Sequence, residues 1–240
     1  MLSWMTCWTT GGQLLLKTVF QYAALPCAVA LAAGPAPALA EPSIKALYEI
    51  TLDIDNDGKT DRAVLVLVGG PERTDFGPLS DERYGLGAGE SVDLYLYLAV
   101  GDEKLDLSRE PAFLRKDIVD PEETPWVQPL ESSGKGSLIV TSVYGWGARQ
   151  SWGQAITIIH RGGELLVAGY SRDWEWGNEV HKSDGSWDVE TTIGGCDINF
   201  LTGKGVVSEG LEEGKPIEGK FTLLKLADWS DDKRPEACDF

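Results

Sequence analysis

Oxygen-bearing side chains recur at short intervals between residues 53 and 61, where the sequence reads Asp-Ile-Asp-Asn-Asp-Gly-Lys-Thr-Asp. Aspartate occupies positions 1, 3, 5 and 9 of this segment, and glycine at position 6 permits a sharp turn. Ca²⁺ prefers about six to eight oxygen ligands, which alternating carboxylates supply. We therefore expect a calcium ion here, held by four carboxylates and one backbone carbonyl from Asp53, Asp55, Asp57, Lys59 and Asp61.

The runs on either side of this aspartate loop have the character of strands, which separates it from an EF-hand. An EF-hand has flanking helices and a glutamate at position 12, whereas position 12 here is Val64 inside an apolar run. The loop resembles the calcium loops of FG-GAP-type and integrin-like β-propeller repeats, and this resemblance implies a structural ion. The alternative is a hairpin turn without an ion, since Asp, Asn and Gly are ordinary turn residues.

Trp174 and Trp176 stand two residues apart in another strand-like run. Because side chains alternate along a strand, both tryptophans face the same side, together with Tyr170 and Arg172. An exposed pair would stack on sugar rings and make the protein a glycan-binding module. A buried pair would cover the core or a neighbouring sheet, and the sequence leaves both alternatives open.

Catalytic motifs are missing from the chain. It contains no G-x-S-x-G, no H-E-x-x-H and no P-loop, and its two histidines, His160 and His181, lack the spacing of a zinc site. The 38 acidic residues offer too many carboxylate pairs for a glycosidase site to be selected from the sequence. We expect a binding protein rather than an enzyme, with a glycosidase as the enzyme alternative.

The charge balance limits the partners that this chain can bind. Lysine and arginine total 21 against 38 aspartates and glutamates, so the formal net charge is −17. Nucleic acids and anionic lipid surfaces are bound by clustered basic residues, so neither is an expected partner. Cations, neutral glycans and basic proteins are expected partners.

The first forty residues predict a targeting segment. Lys17 precedes an apolar run at 18–33, whose 16 residues fall short of the roughly 20 that a membrane helix requires. Ala38-Leu39-Ala40 then offers a small-x-small cleavage site. The prediction is a secretory signal peptide over 1–40 and one periplasmic or secreted domain over 41–240, with no membrane span in the mature chain.

Two cysteines, Cys196 and Cys238, remain after the removal of such a leader. An oxidising compartment permits disulfides, so we expect a bond between these two residues. The alternative is a pair of free, buried thiols.

The segments that must position these residues have the sequence pattern of short strands. Apolar, β-branched and aromatic runs, bounded by Gly, Pro, Asp and Asn, occur at 46–54, 62–69, 92–100, 113–119, 137–145, 154–160, 164–174, 186–192, 196–203 and 219–226. No run keeps a helical apolar period over twelve residues. The prediction is an all-β domain of antiparallel hairpins, arranged as a twisted sheet sandwich or a small propeller-like domain.

The second half of the chain carries a family resemblance. A glycine-aromatic segment at 142–147, a hairpin that ends in Ala-Gly-Tyr at 168–170, and Asp-Ile-Asn-Phe-Leu-Thr-Gly-Lys at 197–204 follow one another. Together with the aspartate loop, they resemble the bacterial periplasmic inhibitors of invertebrate-type lysozyme and related immunity proteins. The resemblance implies that a basic, lysozyme-like cell-wall hydrolase is bound through a protruding loop, with contacts from Ser142, Tyr144 and Trp146.

Overall fold

Antiparallel strands form nearly all the regular structure in a computed structural model that describes residues 44–69, 84–101, 104–120, 125–145, 150–210 and 213–239. These residues include no α-helix, as the sequence predicts, and three single 3₁₀ turns. The fourteen strands in chain order are β1 (Ile44–Leu52), β2 (Asp61–Gly69), β3 (Tyr84–Gly85), β4 (Glu90–Tyr97), β5 (Phe113–Val119), β6 (Trp126–Val127), β7 (Glu131–Ser132), β8 (Ser137–Tyr144), β9 (Gln150–Arg161), β10 (Glu164–His181), β11 (Trp187–Asn199), β12 (Lys204–Glu209), β13 (Lys215–Glu218) and β14 (Leu224–Lys225).

The strands form two sheets. A four-stranded sheet has the order β1-β2-β4-β5, and the aspartate loop connects its first two strands. A ten-stranded sheet has the order β13-β12-β11-β10-β9-β8-β6-β3, with β14 paired to β10 and β7 paired to β8. All these pairings are antiparallel. The all-β prediction is confirmed, and two sheets around a shared core agree with its sandwich form.

Buried apolar side chains from both sheets pack into one cluster. The four-stranded sheet contributes alternate residues of its central strands, and Val64, Val66 and Tyr97 on its other face form a second, smaller cluster. The large sheet contributes matching positions from β8 to β11. The central members, all almost fully buried, are Leu65, Leu94, Leu96, Leu138, Ile156, Ile158 and Ile198.

The segment after β13 lies against the same face of the large sheet. The predicted strand at 219–226 is wrong for most of its length, because only Leu224–Lys225 pairs with a neighbour and 3₁₀ turns follow. Trp229 is buried, with its ring centre 5.6 Å from that of Tyr170. The Cys196–Cys238 disulfide is confirmed, and it ties the end of this segment to β11.

Two further observations concern the predicted signal peptide and membrane-spanning helices. The predicted signal peptide at 1–40 and the following residues up to 43 lie outside the described residues. Within the described ranges, no helix has both the length and the apolar character needed to cross a membrane.

Candidate functional site

Aromatic side chains from three neighbouring strands line up in one row on the large sheet. Tyr144 in β8 is directly opposite Trp152 in β9, and Trp152 is directly opposite Trp174 in β10. The row continues to Gly194 in β11. Directly opposed residues project from the same face, and neighbouring strands lie about 4.8 Å apart. The three rings are therefore neighbours on one surface.

A β-bulge in β10 decides which side chains join this row. Val167 pairs with Ile158, but Gly169 pairs with Thr157, so Ala168 is one extra residue in β10. A shift of one residue turns every later side chain to the other face of a sheet. If the register before the bulge continued, Trp174 would pair with Ser151 and point away from Trp152.

The aromatic row forms the floor of an open cleft with a volume of about 860 Å³. This volume lies within the range of ligand sites, about 300–1,000 Å³. The residues that line it are aromatic, polar and charged: Tyr144, Gln150, Ser151, Trp152, Arg172, Trp174, Glu175, Trp176, Asn178, Thr192, Glu209 and Asp239. The cleft therefore brings the predicted partner-binding Tyr144 together with the predicted glycan-binding pair Trp174 and Trp176.

The cleft lies on the same face of the large sheet as the core. The C-terminal segment covers one part of this face, and the cleft is the neighbouring part that it leaves uncovered. Tyr170, two rows from Trp174, is buried under Trp229 and donates a hydrogen bond to Gln154 Oε1 at 3.1 Å. Gln154 Nε2 in turn donates to Asp231 Oδ2 at 3.0 Å. Beyond this covered part, Trp176 is 48% exposed.

Trp152 has close partners within the cleft. Its ring stacks on that of Tyr144, with the ring centres 5.9 Å apart and the planes 20° from parallel. The guanidinium carbon of Arg172 lies 5.5 Å from the centre of the Trp152 ring. This is the distance of a cation–π contact, so the cleft already holds one cation on an aromatic ring.

Gly194 lets the indole of Trp174 lie across β11. A Cβ atom at this position would be 2.5–2.6 Å from the indole atoms Cε2, Cζ2 and Nε1. Such a distance is far inside van der Waals contact, so any larger residue would displace the ring. The glycine thus positions Trp174 as part of the floor.

The C-terminal segment forms the wall of the cleft at Asp239. Cys238 is bonded to Cys196, which lies two residues along β11 from Gly194. Arg234 donates hydrogen bonds from Nη2 and Nε to Asp239 Oδ1, at 2.5 and 3.1 Å. This hydrogen-bonded guanidinium lowers the pKa of the Asp239 carboxyl. Asp239 is therefore held as an anion at the cleft.

The protein has no match among protein-family models, curated proteins or solved structures. The resemblance to periplasmic lysozyme inhibitors therefore stays a prediction.

The predicted contact loop of Ser142 to Gly147 is wrong at its beginning. Ser142 lies inside β8, opposite Gln154, and is only 2% exposed, because its side chain points to the core face. Tyr144 ends the strand and is 36% exposed, so it is the contact residue of this prediction that reaches solvent. Trp146 lies outside the described residues.

The aspartate loop is the second candidate site, and it brings three carboxylates together. Asp53, Asp55 and Asp61 each place one oxygen atom within 4.8 Å of the others. Asp61 is fully buried and accepts hydrogen bonds from the backbone N–H groups of Ile54, at 2.9 Å, and Ala99, at 2.8 Å. An ionised carboxylate has about four acceptor positions, so each oxygen keeps capacity for an ion.

The two other predicted ligands, Asp57 and Lys59, bond to each other. Lys59 Nζ donates to Asp57 Oδ2 at 2.7 Å, and Lys59 N–H donates to Asp57 Oδ1 at 2.8 Å. Both hydrogen bonds lower the pKa of Asp57. The backbone N–H of Asp57 donates to Asp53 Oδ1, which shapes the turn. Asp57 is thus not one of the three grouped carboxylates.

Sequence reasoning did not select Trp152, Arg172, Gly194 or Asp239 as site residues. Trp152 precedes the predicted strand at 154–160. The Arg-Gly-Gly sequence at 161–163, which is typical of a hairpin turn, gives an approximate partner for each residue of the hairpin. That count would have placed Trp152 near Trp174. Nothing local would have indicated Asp239, since the disulfide brings it to the cleft.

Proposed function

We propose that this protein binds saccharides in its aromatic cleft. The observation that carries the proposal is the row of Tyr144, Trp152 and Trp174, which with the exposed Trp176 lines an open cleft. Sugar rings present C–H groups that pack on aromatic faces, and hydroxyl edges that need donors and acceptors. Amide, hydroxyl and carboxylate groups surround the rings, as in Gln150, Asn178, Thr192 and Glu209.

Titration of tryptophan fluorescence with oligosaccharides of different composition tests this proposal. The sharpest variant is Trp176→Ala, because this exposed ring contributes little packing to the core. Trp187→Ala is the matched control, since Trp187 is 67% exposed but does not line the cleft. We expect Trp176→Ala to weaken binding about tenfold or more and Trp187→Ala to leave it unchanged. Equal effects of the two variants would contradict the proposal.

A second candidate function is binding of a basic cell-wall hydrolase, as the family resemblance implies. The exposure of Tyr144 at the cleft and the net charge of −17 favour it. An acidic protein attracts a basic partner at long range, and an exposed tyrosine suits an interface anchor. Turbidity clearing by several lysozymes tests this candidate. We expect the protein to slow clearing and Tyr144→Ala to lose that effect without a change in melting temperature.

For the aspartate loop we propose a structural Ca²⁺ held by Asp53, Asp55 and Asp61, with the Lys59 carbonyl as a further ligand. An ion that binds only the folded state raises stability, so chelation should lower the melting temperature. Asp55→Ala should abolish this response. Asp57→Ala should keep it, because Asp57 bonds to Lys59. Wild-type protein that melts identically with and without chelator would refute the proposal.

The disulfide supports the proposal that the protein works in the periplasm or outside the cell. Structural disulfides persist in oxidising compartments and are rare where thiols are kept reduced. Intact mass of protein recovered from the periplasm and from the medium would test both this placement and cleavage after Ala40.

A further inference from the structure

Acidic side chains outnumber basic ones around the aromatic rings of the cleft. Glu209, which pairs with Gly194 in the row of Trp174, and Asp239 line it, against Arg172 as the one basic lining residue in the described part of the chain. Glu175 also borders the cleft, but its side chain projects from the opposite face of β10 because it lies between Trp174 and Trp176. Asp239 is compensated by its ion pair with Arg234. The ion pairs among the described residues do not involve Glu209. Glu209 therefore gives the cleft a carboxylate with capacity for a cationic ligand.

The ring faces of the cleft also suit a cation. Arg172 already lies over Trp152 at 5.5 Å, which shows that this surface accommodates a positive group on an indole. Trp176 offers a further indole with about half of its surface exposed. An ammonium group placed there would gain a cation–π contact in addition to its attraction to Glu209.

The charge of the whole protein acts in the same direction. A net charge of −17 attracts cations at long range and repels anions. Among saccharides, this favours those with free amino groups and disfavours those with carboxylates or sulfates. Neutral saccharides would keep only their ring and hydroxyl contacts.

We propose that the cleft selects amino sugars with a free ammonium group, such as glucosamine units, over the N-acetylated forms of the same sugars. This inference rests on the proposed saccharide binding. Acetylation removes the positive charge but leaves the ring face and most hydroxyl groups in place. Selectivity between the two forms therefore reports on the carboxylates of the cleft.

The test compares β-1,4-linked oligomers of glucosamine and of N-acetylglucosamine of equal length, by calorimetry at about pH 5.5, where sugar ammonium groups are charged and free carboxylates are ionised. We expect the glucosamine oligomer to bind about tenfold more tightly, and added salt to reduce this preference. Glu209→Gln should reduce the preference severalfold without weakening binding of the acetylated oligomer. Glu131→Gln, an exposed glutamate on β7 outside the cleft, is the matched control.

Three outcomes would overturn the inference, and they differ in what they leave standing. Equal binding of both oligomers ends the proposed selectivity but keeps saccharide binding. Binding of neither oligomer, nor of any neutral or acidic saccharide, ends both proposals. Displacement of the glucosamine oligomer by an oligolysine of equal charge, with equal potency, reduces the preference to non-specific attraction and ends the selectivity alone.

Discussion

The aspartate loop and the aromatic cleft are held together over very different distances along the chain. The hydrogen bonds that shape the loop join residues two to seven positions apart, such as Ile54 to Asp61. Those that support the cleft join residues much further apart: Tyr170 to Gln154, Gln154 to Asp231, and Arg115 to the carbonyl of Trp229, with separations of 16, 77 and 114.

This difference in sequence separation shows which of the two sites depends on the rest of the fold. The loop is made of nine consecutive residues, and it is anchored by the segment after β4, where Ala99 N–H donates to Asp61 and the N–H groups of Val100 and Gly101 donate to the Thr60 carbonyl. The cleft needs four strands in register, a bulge and a covalently tied C-terminal segment. Changes to the fold should therefore damage the cleft before the loop, and four predictions test this order.

The largest effect is expected from removal of the disulfide. A bridge across a separation of 42 residues contributes about 4 kcal/mol in the chain-entropy treatment. The double variant Cys196→Ala, Cys238→Ala should lose about this much free energy of unfolding in urea denaturation. Saccharide binding should weaken because Asp239 is no longer tied to the cleft. The response of the melting temperature to chelation should remain; its loss together with binding would contradict the independence of the two sites.

The buried carboxylate of Asp61 gives the next largest effect. Asp61→Ala leaves the N–H groups of Ile54 and Ala99 without their acceptor, which should cost about 2–4 kcal/mol of unfolding free energy. Asp57→Ala is the matched control at an exposed position of the same loop, and it should leave stability almost unchanged. Protein with Asp61→Ala should still bind saccharide at temperatures where it is folded. A loss of binding in folded protein would show that the sites are coupled.

Alkaline pH should act on the covered end of the cleft. Burial raises the pKa of Tyr170 from 10.0 to about 12, so the folded state holds the phenol proton that the unfolded state releases. Stability is then fully present below pH 10 and declines by about 2–3 kcal/mol as the pH rises towards 12.

Denaturant unfolding at a series of alkaline pH values measures this decline, and Tyr170→Phe should make it shallower. It should not disappear, because burial also raises the pKa values of Tyr95 and Tyr97 in the small sheet. An unchanged slope in Tyr170→Phe would assign the decline to those residues instead.

The smallest effect on stability is expected at Gly194, with a clear effect on binding. Gly194→Ala forces the Trp174 indole away from β11, at a cost of about 1–3 kcal/mol for overpacking. The displaced ring should weaken saccharide binding about tenfold and alter the tryptophan fluorescence.

Gly85→Ala is the matched control for this change. Gly85 also lies opposite a tryptophan, Trp126, but its added Cβ would keep an ordinary distance of 3.5 Å from that ring. Binding and fluorescence should therefore stay as in the wild type. If Gly194→Ala also leaves binding and fluorescence unchanged, the position of the Trp174 ring does not depend on glycine at residue 194.

Much of the fold follows from short-range sequence patterns. The strand at 113–119 matches β5 at both ends, and the run at 62–69 matches β2 to within one residue. The predicted strand at 196–203 is correct only as far as Asn199, whose Oδ1 accepts hydrogen bonds from the N–H groups of Leu201 and Thr202 and closes a turn. The two matching strands could be predicted because side-chain alternation and the turn residues that bound each run act between residues that are close in sequence.

The ends and lengths of the longest strands could not be predicted in the same way. The break expected after residue 174 is absent, since β10 continues to His181 in pairing with β11. Exposed polar residues there have no strand pattern of their own, and the partner strand supplies their hydrogen bonds. The C-terminal segment likewise has the sequence pattern of a strand at 219–226. In the structure most of it is unpaired, and the packing of Trp229 on Tyr170 and the disulfide hold the segment against the large sheet.

By itself, the sequence determined the all-β class and the position of the aspartate loop, and it favoured the pairing of Cys196 with Cys238 that the structure contains. Local alternation, turn residues and the count of cysteines carry that information. Only the tertiary structure decided that Tyr144, Trp152 and Trp174 form one row. The physical reason is the extra residue Ala168, whose bulge reverses the face of every later side chain in β10 and thereby creates the cleft.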